Sequence, residues 1–121
     1  IAGGLAKGAE MSELIAQVGS RLRAVVLIGT DRELIAHELQ SNFPNVSIVR
    51  VDPKHAHDRS SADNDFMNQI VTEAKHLAQS GDAVLLAPAC ASMDQFLSYG
   101  DRGDRFAKSV REIVGKNDNA R

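Results

Sequence analysis

Two spacings of hydrophobic residues alternate along the chain. Met11, Leu14, Ile15, Val18 and Leu22 recur every three to four positions and predict a helix over residues 11–22, with Ser12 and Glu13 near its start. The run 24–28, Ala-Val-Val-Leu-Ile, stops at Gly29 and predicts a buried strand. Thr30 or Asp31 can cap the next helix, 32–40, whose Leu34, Ile35 and Leu39 are expected to face inward. A turn around Pro44 leads to a second strand at 46–51, and residues 53–64, rich in His, Asp and Ser, read as a loop. A long amphipathic helix through Phe66, Ile70, Val71, Ala74, Leu77 and Ala78 is expected to end near Gly81. Residues 83–87 predict a third buried strand, followed by a Pro-Ala-Cys-Ala turn and a helix opened by Ser92. A last helix over about 104–114 turns Phe106, Ala107, Val110, Ile113 and Val114 inward, and the polar tail 115–121 is expected to fray as a flexible end.

Strands alternating with covering helices argue for an α/β domain with a mostly parallel sheet and right-handed crossovers. Gly3-Gly4 looks like the turn that leaves a strand, yet only Ile1 and Ala2 remain of that strand. Three complete strands make a thin sheet for this class, so the chain reads as cut from something longer. At 121 residues it holds one domain and one core. Its apolar residues all find places on inward faces, which favours a monomer. A net charge of -2 gives no electrostatic case for nucleic acid or an anionic membrane, and no apolar run is long enough for a membrane helix. The single cysteine, Cys90, excludes an intrachain disulfide framework and suits a reducing, cytoplasmic setting. The start of the chain lacks the basic and long apolar regions of a signal peptide.

The junction after residue 87 carries the most chemistry. Ser92 with Gln95 three positions on fits a capping box, and a helix start at the carboxyl end of a parallel strand favours a carboxylate or phosphate. An ordinary strand–helix junction explains the same residues. Gly3-Gly4-Leu5-Ala6-Lys7-Gly8 is glycine-rich but lacks the Gly-Lys-Ser/Thr ending of a P-loop and the spacing of a dinucleotide fingerprint. Lys7 could be a point charge for an anion or a solvated surface lysine. His55 and His57 beside Asp52 and Asp58 lack a matching distant ligand, so no metal site is assigned. Cys90 and Ser92 have no local histidine to activate them. Asp94, Asp101 and Asp104 read as helix-start carboxylates, with Arg102 and Arg105 as pairing partners.

The segment 87–96, Ala-Pro-Ala-Cys-Ala-Ser-Met-Asp-Gln-Phe, followed by Arg102-Gly103-Asp104-Arg105-Phe106, resembles the carboxy-terminal domain of the Mur ligases, in particular of their D-glutamate-adding branch. The Gly-Gly-x-x-Lys segment ending at Lys7 is similar to a second landmark of that family. The resemblance implies a Rossmann-like, three-layer domain over residues 1–114, truncated at its start. It also implies a parent enzyme of peptidoglycan synthesis that uses ATP and Mg2+ to activate UDP-MurNAc-L-alanine as an acyl phosphate, which the amine of D-glutamate attacks. On the same resemblance, Lys7 and Ser92 contact the D-glutamate carboxylates, and Met93 and Tyr99 line the pocket. A cation and helix-start donors suit a dicarboxylate. Tyr99 stands where the family usually has phenylalanine. The family's P-loop, carbamylated lysine and magnesium ligands have no counterpart here, so this chain alone is expected to be inactive, with no catalytic residue and no bound cofactor. A folylpolyglutamate synthase-like domain and a non-catalytic α/β anion-binding or regulatory module remain as alternatives.

Overall fold

The computed structural model describes residues 1–3, 12–29, 32–53, 64–86 and 99–114. Within them a three-stranded parallel sheet runs in the order β1 (Ala2–Gly3), β2 (Ala24–Ile28), β3 (Ser47–Arg50). Helix α1 (Ser12–Val18) joins β1 to β2 through a 3-10 turn at Gly19–Arg21, α2 (Arg32–Asn42) joins β2 to β3, and α3 (Asp65–Leu77) follows β3. Helix α4 (Tyr99–Ile113) packs beside α3.

Period-two alternation in β2 sorts its side chains between two cores. Val25 and Leu27 point to one face and bury with Ile15 of α1 and Ile35, Ala36 and Leu39 of α2. Val26 and Ile28 point to the other and bury with Val51 and with Met67, Ile70, Val71 and Ala74 of α3, against which Phe106, Val110 and Ile113 of α4 pack. Helices on both faces of a parallel sheet make a three-layer α/β architecture: the parallel sheet is the one expected from the pattern, and the Rossmann-like layering the one the resemblance implies. Each fully buried Leu or Ile contributes about 1.5–3 kcal/mol by leaving water.

Several boundaries move, each for a local reason. The first helix does not run to Leu22: it tightens at Gly19, where Leu22 N–H donates to Gly19 O at 3.2 Å. Helix α2 runs on to Asn42, whose side-chain amide donates to Glu38 O at 3.1 Å. Leu34 is not an inward residue: it is 49% exposed, because the buried stripe is Ile35, Ala36 and Leu39 and Leu34 falls outside its flank. Helix α3 stops at Leu77 rather than near Gly81, since Ala78 is extended; Gly81, with φ of 91°, belongs to the following turn. Ala107 is exposed, and the place expected for it in the stripe of α4 is taken by Ser109. The last helix also begins earlier, at Tyr99, and continues through Gly103.

The largest difference concerns residues 83–87. Residues 82–86 form no strand, and Val84 and Leu85 are 40% and 65% exposed. The Ile1 nitrogen donates to Leu85 O at 3.0 Å. With Leu34, Val84 and Leu85 exposed, not every apolar residue is inward. Residues 87–98 and the tail 115–121, including the Ser92 helix start, lie outside the described residues.

Candidate functional site

Parallel pairing brings the carboxyl ends of the strands to one edge: Gly3 stands level with Ile28, and Leu27 with Arg50. The chain leaves β2 through buried Gly29, whose φ of 92° is a conformation that glycine adopts without a Cβ clash, and α2 starts soon after at Arg32. Helix α3 runs opposite to the strands, because Ala74, Leu77 and Ala78 at its far end line a cleft with Leu22, Arg23 and Ala24 at the beginning of β2. Its start therefore lies at the carboxyl edge. Helix α4 runs parallel to α3: Asn64 bonds to Arg105 and Asn68 to Ser109, the same separation of 41 positions in both pairs. The first turn of α4, beginning at Tyr99, is thus at the same edge as the end of β1, from which the chain goes on to Lys7. This edge is where ligands of open α/β sheets bind.

Charged side chains rim that edge. Arg32 holds Asp52 in a two-pronged bond of 2.7 and 3.1 Å and also donates to Val51 O at 3.2 Å. Arg50 holds Glu33 the same way, at 2.6 and 3.0 Å, and its hydrogen bond keeps the Glu33 carboxyl below its usual value. These pairs tie the start of α2 to the end of β3. They also engage Asp52, one member of the His-Asp group considered as a metal cluster; His55, His57 and Asp58 lie outside the described residues. Arg102 is 4% exposed, an interior residue of α4, and Arg105 pairs with Asp101 at 2.9 Å as expected.

Of the residues expected in the site, Lys7, Ser92 and Met93 lie outside the described residues, and Tyr99 is placed by its backbone alone as the first residue of α4. The pattern reading missed Asn64, Asn68 and Ser109, polar residues buried or half-buried between α3 and α4. The available signal was spacing: Asn64 and Asn68 stand one turn apart at the start of α3, and Ser109 falls beside Val110 in the apolar stripe of α4.

At the opposite, amino-terminal end of the sheet, a cleft of about 450 Å³ opens between β2, α3 and residues 82–85. It is closed at one end by Arg23, which grips Asp82 at 2.5 and 3.3 Å, while Gln79 N–H donates to the same carboxylate at 2.9 Å. The bond from Arg23, and then that from Gln79, lower the Asp82 pKa from 3.8. A carboxylate whose folded pKa is depressed adds stability above its unfolded pKa and loses it as pH falls through the folded value. The Asp82→Asn chain is therefore expected to show a shallower fall of melting temperature below about pH 4 than the parent chain. Parallel acid profiles of the two would show that the Arg23 grip contributes nothing.

No family model matches the chain. Curated relatives do. It is 52% identical over 113 residues to the UDP-N-acetylmuramoylalanine–D-glutamate ligase of Streptomyces coelicolor, covering 93% of this chain and 22% of the relative. The ligase of the same name from Thermobifida fusca is 46% identical over 115 residues, covering 95% and 23%, and that of Mycolicibacterium smegmatis 41% over 140 residues, covering 95% and 28%. The chain is a homologue of the carboxy-terminal region of these ligases. It spans about a quarter of the length of the ligases it matches.

The ligase resemblance raises the question of Mg-ATP, and the residues present do not fit it. The sequence contains no Gly-Lys-Ser/Thr phosphate loop. Among the described residues no three His, Cys, Asp or Glu side chains come together as metal ligands. No chemical step is assigned to ATP or Mg2+ on this chain. Among the same residues, no helix is long and apolar enough to cross a membrane.

Proposed function

We propose that this chain is the D-glutamate-binding domain, over residues 1–114, of a cytoplasmic, monomeric ATP-dependent ligase that adds D-glutamate to UDP-MurNAc-L-alanine in peptidoglycan synthesis. The observation that carries the reading is 40–52% identity, over more than nine-tenths of the chain, to ligases that share one name. The fold adds support. Three parallel strands end at one edge, and the routes to Lys7 and Tyr99 leave from that edge. In this reading Lys7 supplies a cation and Ser92 a helix-start donor to the two carboxylates of D-glutamate, while Met93 and Tyr99 shape the pocket. ATP, Mg2+ and the UDP-sugar substrate are held by segments of the parent enzyme other than this one, which close on the domain for reaction.

The test is ligation by the full-length enzyme, followed as phosphate release with UDP-MurNAc-L-alanine and ATP present. Phosphate release that requires D-glutamate supports the reading, and release indifferent to D-glutamate overturns it. Lys7→Ala and Ser92→Ala should each raise the KM for D-glutamate roughly tenfold or more, the effect of losing one charge-assisted hydrogen bond. The KM for ATP should hold. Unchanged kinetics in both variants would remove these residues from the site.

A further inference from the structure

We propose that Asn64, Asn68 and Ser109 are positioning residues for the D-glutamate site: they lock the register of α4 against α3 and so fix where the first turn of α4 stands at the carboxyl edge. The inference rests on the functional reading above, in which that turn borders the substrate.

The apolar part of the α3–α4 contact is Met67, Ile70, Val71 and Ala74 facing Phe106, Val110 and Ile113. Such packing is non-directional, and cores of this kind keep stability through small rearrangements more readily than they keep a unique arrangement. The polar contacts are directional. Asn64 Nδ2 donates to the main-chain oxygen of Arg105 at 3.0 Å, and Ser109 Oγ donates to Asn68 Oδ1 at 2.7 Å. Asn64 and Asn68 are one turn apart, as are Arg105 and Ser109, so the two bonds are successive rungs between parallel helices in step. Ser109 is fully buried and Asn64 is 7% exposed. Sliding α4 by a turn would part Ser109 from Asn68 and take the fully buried hydroxyl from that acceptor, a costly outcome for a buried polar atom, and it would move the carbonyl that Asn64 holds.

Asn64 carries a second indication. It occupies the N-cap of α3, where asparagine ordinarily accepts a bond from the first turn of its own helix, yet it makes no side-chain cap bond. Its side-chain NH2 donates to α4. A single buried asparagine that fixes register at some expense of stability is known from helical coiled coils. Here the consequence falls under two turns upstream of Arg105, where α4 begins at Tyr99 and where Arg102 is drawn into the interior. Small displacements of a binding turn weaken a site even when the fold survives.

The experiment uses the full-length enzyme, assayed well below its melting transition. Ser109→Ala and Asn64→Ala should raise the KM for D-glutamate threefold or more, with the KM for ATP within twofold of wild type. The Asn68→Leu/Ser109→Ala double variant replaces both partners of one rung by apolar groups, so it should recover melting temperature but keep the raised KM. Gly19→Ala, which loads the core on the other face of the sheet, should lower melting temperature without moving that KM. The proposal is overturned if the single variants melt lower at unchanged KM for D-glutamate, if all substrates' KM values rise together, or if the double variant recovers KM along with stability. Wild-type turnover that ignores D-glutamate would instead overturn the functional reading, and the proposal with it.

Discussion

Leu27→Ala is expected to remove about 2–5 kcal/mol of folding stability, the range found when a fully buried leucine is cut back and its cavity only partly collapses. Leu27 is the place for a large effect. It is 0% exposed in the central strand, with β1 on one side and β3 on the other. Its side chain is buried in the same cluster as Ile15, Ile35 and Leu39, and its carbonyl accepts from Val51 N–H at 3.0 Å. Neither neighbour strand can move in to fill the void without breaking the ladder that pairs Leu27 with Ala2 and Arg50. A domain of this size holds only about 5–15 kcal/mol in all, so the variant should melt roughly 10 °C or more below the parent. Urea unfolding should show the loss as a lower midpoint at unchanged slope. A change under about 1 kcal/mol would mean that the site collapses freely and that Leu27 is not at the centre of the packing.

What could be read from the sequence, and what could not, separates by kind of interaction. The run 24–28 was legible because β-branched residues and Gly29 bound it, and α3 because its stripe of Ile70, Val71 and Ala74 is unambiguous. Residues 83–87 show the same local pattern as 24–28. The two differ in their surroundings: β2 lies buried between two strands, while Val84 and Leu85 are 40% and 65% exposed. Local pattern holds no information about tertiary partners. The last helix was expected from about residue 104, yet the face that packs on α3 carries it back through Gly103 at about 1 kcal/mol of lost propensity. The rungs at Asn64 and Ser109 were hidden because asparagine and serine usually mark surface. For the candidate site the balance reverses. The identities of Lys7, Ser92, Met93 and Tyr99 come from a motif, which is a property of sequence. The fold contributes the common edge to which β1, α3 and α4 bring their ends.

Gly19→Ala should destabilise the chain by about 1–2 kcal/mol, although alanine is ordinarily the better residue near a helix end. A Cβ on Gly19 would collide with Cδ2 and Cε2 of the Phe43 ring and stand 2.7 Å from its Cζ. The ring has little freedom to retreat, since Phe43 packs against the cluster of Ile15, Leu27 and Leu39 and its own N–H is bonded to Leu39 O at 2.7 Å. Overpacking of this sort costs about 1–3 kcal/mol. The entropic gain from a less flexible unfolded chain returns only about 0.4–1 kcal/mol, so the clash wins. Gly103 supplies the contrast: nothing lies within 4 Å of its missing Cβ and it sits inside α4, so Gly103→Ala should be neutral or stabilising by up to about 1 kcal/mol. The cause is open to a direct check. If the ring is what resists, Phe43→Leu should absorb part of the Gly19→Ala loss, and the two substitutions will be non-additive in chemical denaturation. Strict additivity, or a neutral Gly19→Ala, would place the Phe43 ring elsewhere and leave the tight turn between α1 and β2 to be explained by backbone geometry alone.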